Sequence, residues 1–172
     1  MIYDILRKLG SFLVRNKFFY FLLNYTWGLP STLLGFIILL CVLPFGKVHI
    51  FHGYSCLYFK FNKHLGYGFS IGTVIFVGND YSNSLLLHEF GHTVQNALFG
   101  PFTLFLVSIP SVIRYHIFEY YYKHNKTKYS ELSYDKIWFE KMATQFGYYL
   151  LLADPRVVTR RIVSRGSSKT KI

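Results

Sequence analysis

From Phe18 to Gly46 the chain runs for 29 residues without a charged side chain. Its densest part, Leu33 to Leu43, is entered through Pro30, Ser31 and Thr32, which suit the first turn of a helix. Trp27 and Phe45 stand near the two ends, where aromatic rings favour the boundary between water and hydrocarbon. Residues 28–45 therefore read as a transmembrane helix of just sufficient length. Composition points the same way, with 52% hydrophobic and 20% aromatic residues against 16% charged. At 172 residues there is room for one domain and hardly two. The expectation is a single membrane-embedded domain over residues 1–154, integral to a membrane.

The flanking stretches fit that setting. Residues 1–25 read as an amphipathic interfacial helix, with Arg7, Lys8, Arg15 and Lys17 set among Ile5, Leu9, Phe12 and Phe19. A secretory signal is the competing reading, but the apolar part runs too long and lacks a clean cleavage site. In residues 47–79 the β-prone runs Val48 to Phe61 and Phe69 to Val77 are separated by Gly66-Tyr67-Gly68. They predict a β-hairpin or three-stranded sheet, with Ile71 to Val77 as a candidate edge for pairing with a peptide. Residues 101–123 are apolar and then interfacial, and Gly100-Pro101 predicts two short helices meeting at a bend. Residues 134–152 read as a last helix, capped by Ser133 or Asp135. Residues 155–172 read as a basic, flexible tail. The fold class is α+β, mainly helical.

Net charge is +11, from 19 Lys and Arg against eight Asp and Glu. Because the excess lies beside apolar stretches, anionic lipid contacted through the basic termini is the expected partner. Tyr and Phe interleaved with Lys in residues 115–128 can stack on single strands, but no nucleic-acid module surrounds them, so nucleic acid is set aside. Cys41 and Cys56 form neither a disulfide framework nor a C-x-x-C pair and read as packing residues.

Residues 82–99 contain His88-Glu89-Phe90-Gly91-His92. On a helix, residues four apart share a face, so both imidazoles can reach one metal ion while Glu89 stands beside it. This is the H-E-x-x-H pattern, in which the histidines bind Zn2+ and Glu is the general base. With seven His and four Glu in the chain, chance predicts roughly 0.006 occurrences. A third protein ligand is still needed. The metzincin spacing would require His at the position of Leu98, so that class is excluded. Among the later acids, Glu119 belongs to the interfacial stretch, and Glu131 and Asp135 suit a helix start. Glu140 lies among Trp138, Phe139, Met142 and Phe146, with Ala143, Thr144 and Gly147 on its face to let two helices approach. It is the candidate ligand. The alternative is a surface Glu paired with Lys136, Lys141 or Lys128.

Phe69-Ser-Ile-Gly72, His88-Glu-Phe-Gly-His-Thr-Val-Gln95, Leu98-Phe-Gly-Pro101, Ile109-Pro-Ser111 and Trp138-Phe-Glu-Lys-Met-Ala143 follow one another in this order. The set resembles a group of small, mostly uncharacterised bacterial membrane proteins with a gluzincin-like metallopeptidase signature. The resemblance covers roughly residues 31–147. It implies zinc on His88, His92 and Glu140, with Glu89 as catalytic base. Gluzincins usually place Asp four residues after the ligand Glu to hold a histidine ring; here Thr144 stands there, and a hydroxyl holds a ring less strongly.

The function expected is a membrane-embedded zinc metalloprotease acting on a peptide or membrane-protein substrate. Tyr129, Tyr134, His116 and His124 are candidate donors to the reaction's oxyanion. One rival is a catalytically inactive zinc-containing membrane protein that binds or protects a partner. The other is a structural protein whose histidines bind no metal. Lys and Arg number four before Gly28, three between Lys47 and Gly100, and twelve from Arg114 onward. The positive-inside rule then puts both termini in the cytoplasm. His88 and Glu140 can share one metal only if residues 101–113 are re-entrant or the site lies at bilayer depth.

Overall fold

The computed structural model describes residues 1–51, 53–124 and 137–155. The long uncharged run is not one helix. Helices α1 (Ile2–Arg15) and α2 (Lys17–Tyr25) break at Asn16, and α3 (Leu29–Val42) turns away from α2 by 83°. Helix α3 has 14 residues, about 21 Å at 1.5 Å per residue, against a hydrocarbon core of about 30 Å. No single helix among the described residues is long and apolar enough to cross a membrane. This corrects the expected membrane fold class and its transmembrane helix at 28–45. The break has a local cause. Gly28 and Pro30 start a new helix, and Pro44 ends it in a 3-10 turn (Leu43–Phe45) that leads into a strand. Hydropathy registers the composition of a run but not its direction. The amphipathic helix expected over 1–25 is likewise two helices.

Four strands follow: β1 (Gly46–Ile50), β2 (Leu57–Phe61), β3 (Gly68–Ile71) and β4 (Val74–Val77), in the spatial order β1-β2-β4-β3. The β1/β2 and β3/β4 pairs are antiparallel, and β2 and β4 are parallel. The run Phe69 to Val77, read as one strand, folds back at Gly72-Thr73, where Gly72 takes φ +58. The sheet therefore has four strands rather than two or three. Strand β4 is central and wholly buried, so the free edge near the His motif is β3. Phe59, Val74 and Phe76 pack with Leu39 of α3 on one side of the sheet. Ile75 and Val77 join the main core of α1, α4 and α6.

Helix α4 (Asn83–Phe99) is capped by Ser82, whose side chain accepts from the Leu85 N–H at 3.1 Å. After Gly100–Phe102 the chain bends by 118° into a π-helical turn (Leu104–Ser108) and α5 (Ile109–His124). Helix α6 (Trp138–Ala153) returns to lie on α4. The expected caps Ser133 and Asp135, the basic tail from 156 and residues 125–128 of the basic aromatic stretch lie outside the described residues. Two glycines allow the α4–α6 contact. A methyl group at Gly91 would overlap the Ala143 backbone, and one at Gly147 would overlap the Leu87 backbone. Of the two cysteines, Cys56 is buried as expected, but Cys41 is exposed.

Candidate metal centre

The α4–α6 contact brings together the three residues singled out as ligands. His88 and His92 lie one turn apart on α4 with their rings edge to face, and Glu140 stands opposite them in the first turn of α6. Glu140 Oε2 lies 3.0 Å from His88 Nε2 and 3.3 Å from His92 Nε2. A tetrahedral site with metal–ligand bonds of about 2.0–2.1 Å sets its ligand atoms roughly 3.3–3.4 Å apart. The observed separations are close to that spacing, and one ligand atom from each of the three residues lies within 4.8 Å of the others. The group can hold a metal ion.

Each candidate ligand is oriented by a further side chain on its far side. His88 Nδ1 is 2.9 Å from Thr144 Oγ1, and His92 Nδ1 is 2.8 Å from Gln95 Oε1. Gln95 donates through Nε2 to the Phe139 carbonyl at 2.6 Å, which fixes its oxygen towards the ring. Donation from Nδ1–H to both oxygens leaves the Nε2 lone pairs for a metal. Ser111 Oγ, from the start of α5, donates to Glu140 Oε1 at 2.6 Å and so leaves Oε2 facing the histidines. Three elements thus converge on one point.

The electrostatics follow from burial. Glu140 is fully buried; desolvation pushes its pKa up, but the hydrogen bonds from His88 and His92 outweigh this and hold it far below the ordinary carboxylate range. Desolvation pulls His92 down, yet the hydrogen bond to Glu140 outweighs it and the pKa is raised. Glu89 behaves oppositely to Glu140. Burial raises its pKa against the pull of His92 and His88, and its Oε2 has no hydrogen-bond partner. Two nearby carboxyls are thereby separated in acidity by their surroundings, one shifted towards its charged form and one towards its protonated form.

Glu89 and His92 line a cavity of about 140 Å³ between β3 and the Leu104–Ser111 turn. One wall is the whole of β3 with Gly72; Ser31, Thr103, Val107, Ser108, Ser111 and Val112 complete it. The strand comes close to Glu89: a methyl group at Gly68 would meet Glu89 Cγ at 3.1 Å. Gln95 and Ser111 carried no spacing signal of their own, although both sit inside the quoted motifs. Ser31 and Ser70, which also line the cavity, carry no site signal of their own: Ser31 reads as a first-turn residue of α3, and Ser70 sits inside the quoted Phe69-Ser-Ile-Gly72. His116 is exposed and does not line the cavity, while the side chains of His124, Tyr129 and Tyr134 lie outside the described residues. Comparison with family models, curated proteins and solved structures finds no match to this chain.

Proposed function

We propose that this protein is a zinc metallopeptidase whose metal is held by His88, His92 and Glu140 and whose general base is Glu89. The observation that carries the reading is the convergence of three ligand atoms beside a buried, partnerless carboxylate oxygen in an open cavity. Two imidazoles and one carboxylate form the donor set of known catalytic zinc sites. When bound, zinc lowers the pKa of its water towards about 7 and polarises the carbonyl under attack. The chain's own residues supply the rest. Glu89 Oε2 takes a proton and returns it to the leaving amine, a role helped by a pKa raised above that of an exposed Glu. The β3 edge offers unpaired backbone groups to an extended peptide running past Glu89. This edge is Gly68–Ile71 rather than the expected Ile71 to Val77. The Ile71 carbonyl packs on Gly35 of α3, so pairing falls to Gly68, Phe69 and Ser70.

A Glu89→Gln variant tests the reading directly against a peptide library. The expected result is wild-type zinc content with hydrolysis abolished. Equal cleavage by the variant refutes Glu89 as base. No cleavage by the zinc-loaded wild type supports instead an inert metal protein that binds or protects a partner.

A further inference from the structure

Helix α3 is inverted relative to a helix of a water-soluble core. Its buried face carries Ser31, Thr32 and Gly35, followed by Leu39. Its outer face carries Leu33, Leu34, Ile37 and Leu40, at spacings of three and four, with Ile37 58% and Leu40 67% exposed. The segment after α4 repeats the arrangement. Thr103 and Val107 face inward, while Phe102, Phe105, Leu106, Ile109 and Val112 face out, Phe105 at 69%. The two faces join at the bends, where the Trp27 and Phe102 rings lie 6.1 Å apart. Small and polar residues inside with large apolar ones outside is the pattern selected by a solvent as apolar as leucine. Water would not select it over several helical turns.

Charge identifies which apolar medium. The exposed stripe Ile5, Leu9 and Phe12 on α1 is flanked by exposed Lys8 and Arg15. It continues into α2 through the Phe12–Phe19 ring contact at 5.4 Å, next to exposed Lys17. An apolar stripe rimmed by cations complements anionic lipid head groups. Val112, 54% exposed, belongs both to the outer face of the Phe102–Ile113 segment and to the cavity wall.

We propose that the outer faces of α3 and the Phe102–Ile113 segment rest in one leaflet of an anionic bilayer, and that the Glu89 cavity opens towards that leaflet. Bent helices too short to cross the bilayer can occupy one leaflet. The second half rests on the peptidase reading and assigns its substrate to polypeptide segments reached from the lipid.

A native thiol reports on the first half without any peptidase activity. Cys41 is exposed on α3, whereas Cys56 is buried and its thiol pushed up to about 12, which leaves it unreactive. The protein is reconstituted into vesicles of phosphatidylglycerol and phosphatidylcholine and treated with a charged or a lipid-soluble maleimide. The expected result is labelling of Cys41 by the lipid-soluble reagent and at least a tenfold slower reaction with the charged one. Free labelling by the charged reagent overturns the proposal. So does exclusion of both reagents from a chain that light scattering shows to be a dimer, since a second copy then covers the face. A Cys41→Ser, Val112→Cys variant tests the cavity mouth: the same pattern supports opening towards lipid, and free reaction with the charged reagent refutes it.

Discussion

Replacing Gly91 with Ala reverses the sign of an effect that is normally stabilising. In an exposed helix, Gly→Ala adds about 1 kcal/mol of stability. At Gly91 the new methyl group would overlap the carbonyl and Cα of Ala143. These are backbone atoms of α6, so no change of side-chain rotamer relieves the overlap and the two helices must separate. Overpacking of this kind costs about 1–3 kcal/mol, and a rigid backbone obstacle places it near the upper end. The net expectation is a loss of about 2 kcal/mol, or roughly 4–8 °C in Tm for a chain of this size. The separation also draws Glu140 Oε2 away from the two Nε2 atoms that it now meets at 3.0 and 3.3 Å. Zinc affinity should fall at least tenfold. Thermal unfolding followed by circular dichroism reads the first effect, and zinc titration against a competing chelator reads the second. A Gly91→Ala protein as stable as wild type, with unchanged zinc affinity, would refute the close helix contact and the site built on it.

Two further expectations concern the residues around the metal. Thr144→Val removes the partner of His88 Nδ1 and should weaken zinc binding on the order of tenfold, while Thr144→Asp should strengthen it; chelator competition measures both, and equal affinities would show that Thr144 does not orient the ring. Burial raises the Glu89 pKa, so the folded state holds that proton more tightly than the unfolded chain does. The resulting stabilisation is complete below the unfolded value of about 4.3 and is lost as pH rises through the folded-state value. Metal-free wild type should therefore lose stability relative to Glu89→Gln across that window, and parallel pH–stability curves would contradict the assignment.

What the sequence made legible was local and periodic. The spacing of His88 and His92, the stop at Gly100-Pro101 and the small residues facing Glu140 all act within a few turns of one helix. Their consequences appear in the structure as the His88–His92 pair on α4, the 118° bend and the close α6 contact. Direction and pairing were less legible. The uncharged run from Phe18 had the composition of a span, yet the turn before Pro30 redirects it by 83°. Ile71-Gly72-Thr73-Val74 reads as the middle of a strand until a positive φ at Gly72 makes it a hairpin. That single turn moves the sheet edge from β4 to β3 and puts the edge beside Glu89. The support given by Gln95 and Ser111 depends on tertiary approach, which no spacing within one element encodes.

Elemental analysis of the purified protein reads the proposed metal centre itself. About one zinc per chain is expected in wild type and in Glu89→Gln, with zinc lost in His88→Ala, His92→Ala and Glu140→Ala. A folded wild type that takes up no zinc, or a Glu140→Ala variant that retains it fully, would rule the centre out.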